Sequence, residues 1–213
     1  MFCLLSMQSL IARQRDFIFK QIFAEEDNKD LLISFLNSVL QRLQFCEPEP
    51  LDNVEINTLS TQNTSIFIPE LRKNEIYHLN IIAPNQNVTL LLQHDSTDDV
   101  YMRAFNFLAH MMLVPNDQKA TAVLVFGENV TARKDAINEL VLTFQVSEPD
   151  KTSDKARVIF VELPKFDYSD NSYSDELASW LLFLQKPSLQ DDHLLKDDKV
   201  KTALNLLKTN FCN

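Results

Sequence analysis

"ARVIFVELP", residues 156–164, decides the fold class of this chain of 213 residues. Its middle is apolar without interruption, which is typical of a β-strand that is buried on both faces. "TAVLVFG", residues 121–127, has the same character. Such strands belong to sheets that are covered by helices, so the two stretches predict an α/β protein wherever helical patterns accompany them.

Helical patterns occur on both sides of these strands. The spacing of apolar residues predicts two helices near the N terminus and an amphipathic helix in the tail. Asn28 and Ser174 precede two of the helical runs and are predicted N-caps. The predicted helices are 13–24, 28–44, 96–114, 132–140 (short), 174–185 and one within 188–213, whose apolar stripe is Leu194, Leu195, Val200, Ala203, Leu206 and Leu207.

The remaining strands are predicted from alternation and from β-branched residues. They are 54–59, 64–70, 76–83, 87–93 and an edge strand at 140–146. In "SIFIPELRKNEIYHLNIIAP" (65–84), a charged turn separates two apolar segments, Ser65–Ile68 and Tyr77–Ala83, which we predict to pair as a hairpin. Strand runs that alternate with helices predict a mixed sheet flanked by helices.

Composition excludes several classes of protein. The single glycine, Gly127, excludes a P-loop and a dinucleotide fingerprint, which need several glycines at fixed spacing. The net charge of −10 argues against tight nonspecific DNA binding, although a local basic groove stays open. Three widely spaced cysteines favour free thiols and a cytoplasmic location. No apolar run has the length of a membrane helix, so no membrane partner is expected.

Two stretches carry a family resemblance. "RDFIFKQIFAEEDNKDLLISFLNSVL" (15–40) and "VIFVELPKF…ELASWLLFLQ" (158–185) resemble the PD-(D/E)XK nuclease-fold family of transposases, or recombination-promoting nucleases. The resemblance implies a restriction-endonuclease-like sheet with two N-terminal helices and a C-terminal helical tail. The residues that match are Asp16, Phe19, Lys20, Ile22, Phe23, Asn28, Lys29, Leu32, Ile33, Phe35, Leu36, Asn37, Glu162, Leu163, Pro164, Lys165, Phe166, Trp180, Leu181, Phe183 and Leu184.

The resemblance also implies a division of the chain. We expect an N-terminal extension at 1–12, a nuclease-like domain at 13–187 and a helical tail at 188–213. Members often continue into a longer helical region, so the tail is expected to be truncated. Either Met1 or Met7 could be the true start.

The family's chemistry is expected in the middle of the chain. Members usually carry Asp on one strand and Glu-x-Gln or Glu-x-Lys on the next, and the two carboxylates hold Mg²⁺. Aligned without a gap, this chain places Ile68 at the Asp, Ile82 at the Glu and Pro84 at the Gln or Lys. None of these side chains binds Mg²⁺, so the resemblance implies a degenerate site filled by apolar core.

Other residues are weaker candidates for a site. Glu70, Glu75 and Asp16 are acids that could replace the lost ligands, and the acids in "QHDSTDD" (93–99) fit the first turn of a helix better than a metal site. Lys20 and Arg103 are candidate DNA contacts, although ion pairs are the simpler expectation. Glu162 is expected to be structural, as a cap of the "LPKF" turn.

Three functions remain open at this stage. The first is a catalytically inactive member of the family that needs no cofactor, binds DNA weakly, or forms homodimers or heterodimers with active relatives. The second is an active Mg²⁺-dependent DNA endonuclease with a rearranged acidic site. The third is an acidic protein-interaction module.

Overall fold

The computed structural model describes residues 11, 14–43, 51, 55–58, 77–82, 86–93, 119–145, 152–187 and 194–211. The chain divides into two units, one made of Met1–Leu51 with Leu163–Asn213 and the other of Asp52–Glu162. The first unit is helical and the second is built on a sheet.

The N-terminal helices are present as predicted. Helix α1 occupies 14–23; it starts as an α-helix and continues as a π-helix over Ile18–Phe23. Helix α2 (Lys29–Arg42) follows a 3₁₀ turn at Glu26–Asn28. Asn28 occupies the N-cap position, but its side chain makes no capping bond and instead donates a 3.5 Å hydrogen bond to the carbonyl of Gln21.

The C-terminal helices are also confirmed. Helix α3 (Asp175–Gln185) is capped as predicted, because the Ser174 hydroxyl accepts a 3.2 Å bond from the amide of Leu177. Helix α4 (Asp198–Phe211) begins after Asp197, whose carboxylate accepts from the amides of Lys199 and Val200. Four of the six residues predicted for its stripe are buried, Leu194 is exposed, and Leu204 is a buried residue that the prediction missed.

Aromatic rings form the core of the helical unit. Phe23 of α1, Phe35 of α2 and Trp180 of α3 lie with ring centroids 5.4–5.9 Å apart, and all three are fully buried. Contacts of this kind contribute beyond the burial of apolar area. Each ring comes from a stretch that carries the family resemblance.

The second unit is a mixed six-stranded sheet in the order β1-β2-β3-β4-β6-β5. The pairs β3–β4 and β4–β6 are parallel, and the other three pairs are antiparallel. This sheet, with helices in both terminal regions of the chain, confirms the α/β class. The strands are β1 (Glu55–Thr58), β2 (Tyr77–Ile82), β3 (Gln86–Gln93), β4 (Lys119–Phe126), β5 (Ile137–Gln145) and β6 (Thr152–Glu162).

The helix predicted at 132–140 is wrong. Residues 127–136 form a loop, and β5 begins at Ile137. The alternation that predicted an edge strand at 140–146 extends further back, because β6 pairs with β5 from Ile137 onward. The predicted helix at 96–114 and strand at 64–70 lie outside the described residues.

The predicted hairpin at 65–84 is also wrong in its pairing. From Leu79 to Ile82, β2 has β1 on one side and β3 on the other, both antiparallel. Both edges of β2 are therefore occupied along this stretch, and Ser65–Ile68 lies outside the described residues. The hairpin that the structure describes is formed by β2 and β3.

Candidate functional site

The β2–β3 hairpin is the first part of the candidate site. Its two strands read YHLNII and QNVTLLLQ, so no position in either strand is Asp or Glu. His78 lies opposite Leu91, and Asn80 lies opposite Thr89. Adjacent antiparallel strands of this kind are where two side chains can share one ligand, because directly opposite residues are close neighbours.

The hairpin has one apolar face and one mixed face. Since strand residues alternate between faces, Leu79 and Leu90 belong to the apolar face, where Val88 and Leu90 are fully buried. The mixed face contains the positions of His78, Asn80, Ile82, Asn87, Thr89, Leu91 and Gln93. Thr89 is only 3% exposed, so this face is covered at its centre.

The second part is the carboxyl edge of three parallel strands. β3, β4 and β6 end at Gln93, Phe126 and Glu162, and these three residues are neighbours in the register. Ligands of open α/β sheets bind outside the carboxyl ends of such strands. This edge therefore lies at the open end of the β2–β3 hairpin, where β3 ends at Gln93.

Glu162 fastens a loop at this edge. Its carboxylate is fully buried and accepts hydrogen bonds from the amides of Val130 (2.7 Å) and Thr131 (3.0 Å), and from the Thr131 hydroxyl. The side-chain amide of Asn138 donates to the same carboxylate at 3.5 Å. Glu162 is thus structural, as expected, but it holds the loop at 127–136 rather than the "LPKF" turn.

The family follows from a match that covers most of the chain. Residues 13–209 match the profile of the PD-(D/E)XK nuclease family transposase. The chain belongs to this family. Searches of curated proteins and of solved structures found no match.

The catalytic pattern of PD-(D/E)XK nucleases can be placed on the observed strands. Gln93 lies two residues after Leu91 in β3, as Gln does after Glu in Glu-x-Gln, and Leu91 lies opposite His78 of the preceding strand. Laid on this hairpin from its Gln, the pattern puts Leu91 at the Glu and the opposite residue, His78, at the Asp. This is an alternative to the gapless placement on Ile68, Ile82 and Pro84, and in it Gln93 alone keeps the residue type of the pattern.

Mg²⁺ does not fit this set of residues. The ion prefers hard oxygen ligands and is held in proteins by one or two carboxylates, whereas β2 and β3 offer none. Across the part of the chain that the structure describes, no group of three or more His, Cys, Asp or Glu residues is placed to hold a metal ion.

Three of the predicted site residues are among those that the structure describes, one in the sheet unit and two in the helical unit. Ile82 is the last residue of β2, opposite Asn87 of β3 and Glu55 of β1. In the helical unit, Asp16 is half-buried and Lys20 is exposed, both in α1. The roles predicted for Ile68, Pro84, Glu70, Glu75, Arg103 and the acids at 95–99 stay predictions, because these residues lie outside the described part of the chain.

The prediction from sequence missed two features of the site. One is the hairpin formed by β2 and β3, for which the pair Pro84-Asn85 was the available turn signal. The other is the loop at 127–136.

Among the described residues, no helix is long and apolar enough to cross a membrane.

Proposed function

We propose that this PD-(D/E)XK nuclease family transposase has lost metal-dependent DNA cleavage and binds DNA weakly without cutting it. The observation that carries the proposal is that neither strand of the β2–β3 hairpin contains a carboxylate. In metal-dependent nucleases, carboxylates hold the ion that polarises the phosphoryl oxygen and activates the attacking water. Without them, the hairpin has no group for either task.

The charge of the chain supports weak rather than tight binding. Phosphate contacts depend on Lys and Arg, and the net charge of −10 opposes the approach of DNA. Binding should therefore depend on a small local surface and fall steeply with salt. Pairing with an active relative in a reducing cytoplasm would give such a protein a regulatory use.

A cleavage assay tests the loss of catalysis. Supercoiled plasmid is incubated with the purified full chain and Mg²⁺ or Mn²⁺, beside the Glu70→Ala variant. We expect no nicking above a buffer control. Nicking by the wild type overturns the proposal, and its loss in Glu70→Ala would assign the activity to a rearranged acidic site.

Restoring the acids tests where the site lies. The double variant His78→Asp/Leu91→Glu places two carboxylates at directly opposite positions of the hairpin and keeps Gln93. We expect it to bind Mg²⁺ by calorimetry at least tenfold more tightly than either single variant, which supplies one acid. Circular dichroism checks that each variant is folded. A folded double variant that binds no better than the single ones would show that these are not the lost positions.

A further inference from the structure

The loop between β4 and β5, residues 127–136, presents two adjacent cations on a backbone that the sheet holds in place. The carboxylate of Glu162 accepts hydrogen bonds from the backbone amides of Val130 and Thr131. The C-terminal end of the loop is also held, because the backbone amide of Glu162 donates a 2.7 Å hydrogen bond to the carbonyl of Ala136. A loop that is fixed before binding loses less conformational entropy when it meets a partner.

A further hydrogen bond orients the segment that carries the two cations. The side-chain amide of Asn138 donates a 2.7 Å bond to the backbone carbonyl of Asp135. Arg133 and Lys134 therefore lie between two residues, Thr131 and Asp135, whose backbones are held by hydrogen bonds. Both cations are exposed.

The two cations have no carboxylate partner among the described residues. By contrast, Lys29, Lys196 and Lys201 each form an ion pair with a neighbouring acid. In the described part of the chain, Arg133 and Lys134 are the one pair of adjacent, exposed basic residues for which no hydrogen bond or ion pair occurs. Their charge is consequently available to an external anion.

The position of the loop favours a ligand that also reaches the hairpin. The loop leaves the sheet directly after Phe126, which neighbours Gln93 at the carboxyl edge of β3 and β4. This is the edge at which open α/β sheets bind their ligands. A polyanion lying along the edge would meet the end of the hairpin and the two cations together.

We propose that Arg133 and Lys134 contact the phosphate backbone of duplex DNA through this fixed loop. The inference rests on the proposed DNA binding and assigns it a surface. Glu128 and Asp135 are exposed acids in the same loop, so the contact is local and weak. Asp135 lies beside Lys134 and should reduce its attraction for phosphate.

Fluorescence anisotropy with a labelled duplex, recorded at several salt concentrations, tests the contact. Each neutralised phosphate contributes about 0.9 to the slope of log K against log salt. Arg133→Gln/Lys134→Gln should therefore reduce the magnitude of the slope by about 1.8 and weaken binding at low salt about tenfold. Asp135→Asn should strengthen binding.

The matched control is Lys186→Gln/Lys199→Gln, which removes the same charge from two exposed lysines of the helical unit. We expect its salt slope to equal that of the wild type. Thermal melts of all variants exclude unfolding as the cause of a loss.

The outcomes separate the two proposals. If the wild type does not bind duplex DNA at low salt, the proposed function is overturned and this inference with it. If the wild type binds, and the loop and control variants keep its slope or change it equally, only the contact through Arg133 and Lys134 is overturned.

Discussion

The indole nitrogen of Trp180 donates a 3.0 Å hydrogen bond to the hydroxyl oxygen of Ser34. The same hydroxyl donates a 2.5 Å bond to the carboxylate of Glu176. Ser34 lies in α2, and Trp180 and Glu176 lie in α3. The two stretches that carry the family resemblance thus meet at one buried hydroxyl.

Ser34→Ala should lower the free energy of unfolding by about 1–3 kcal/mol, because the buried indole N–H loses its acceptor. The measurement is urea denaturation followed by the fluorescence of Trp180, the only tryptophan of the chain.

Ser38→Ala is the matched control. Ser38 is 2% exposed in the same helix, but its hydroxyl bonds only to the carbonyl of Phe35, one turn earlier. We expect a change within about 0.5 kcal/mol, since the loss of this local bond is offset by the helix propensity of alanine. Equal effects of the two substitutions would show that the contact between α2 and α3 carries no special stability.

The sequence predicts well those elements whose pattern is local. The apolar run at the end of β6 and the capped helix after Ser174 are found where they were expected. The partner of a strand is a different matter, because it depends on segments that are distant in the chain. The charged turn "ELRKNE" suggested that Tyr77–Ala83 pairs with Ser65–Ile68, yet β1 and β3 occupy both edges of β2.

The role of Glu162 shows the same limit. A glutamate at the end of an apolar strand is visible in the sequence as an unusual buried acid. Its partners are backbone amides more than thirty residues earlier, at Val130 and Thr131. Since every residue except proline offers such an amide, no sequence pattern identifies which ones will be used.

Glu162→Gln should lower the free energy of unfolding by about 1–3 kcal/mol. The new amide group brings donors towards the donors of Val130 and Thr131, so at least one of the carboxylate's bonds is lost. Hydrogen exchange should also become faster at these two amides, which mass spectrometry of peptides covering 127–136 would detect.

Asp135→Asn serves as the comparison for Glu162→Gln. It is an acid-to-amide change in the same loop, at an exposed side chain, so stability and exchange should stay close to the wild type. Unchanged exchange at 130–131 in folded Glu162→Gln would mean that the carboxylate does not hold the loop.

The ion pair between Lys196 and Asp175 should give a stability contribution that depends on pH and salt. The Nζ–Oδ1 distance is 2.7 Å, and both side chains are largely exposed. The hydrogen bond to Asp175, followed by the attraction of its charge, raises the pKa of Lys196 above the ordinary 10.5.

Because the pKa is higher in the folded state, this contribution is complete below pH 10.5 and is lost as the pH rises through the folded-state value. Wild type and Lys196→Gln should therefore differ in melting temperature at neutral pH and converge in strong alkali. The difference should also shrink in about 1 M salt, where screening is short-ranged. Lys199→Gln, an exposed lysine nearby, should show neither trend.

Arg15 should contribute stability that does not vary with pH over the ordinary range. Its Nε donates to the carbonyl of Leu184 at 2.8 Å and its Nη2 to that of Gln185 at 3.3 Å, at the C-terminal end of α3. Burial lowers the pKa of Arg15 to about 10, so the guanidinium remains charged at neutral pH. A cation is favourable at this end of a helix, and the two carbonyls would otherwise lack these donors.

Arg15→Met, which keeps much of the volume, should lower the free energy of unfolding by about 1–3 kcal/mol. Arg42→Met should cost less, because Arg42 is half-buried and its contacts are a 3.4 Å bond to Ser172 and a 5.1 Å approach to the ring of Tyr173. Denaturant titrations between about pH 5 and pH 9 should give a constant difference between wild type and Arg15→Met, since the proton stays bound throughout. A difference that falls within this range would mean that another titrating group, rather than the two carbonyls, governs the contribution of Arg15.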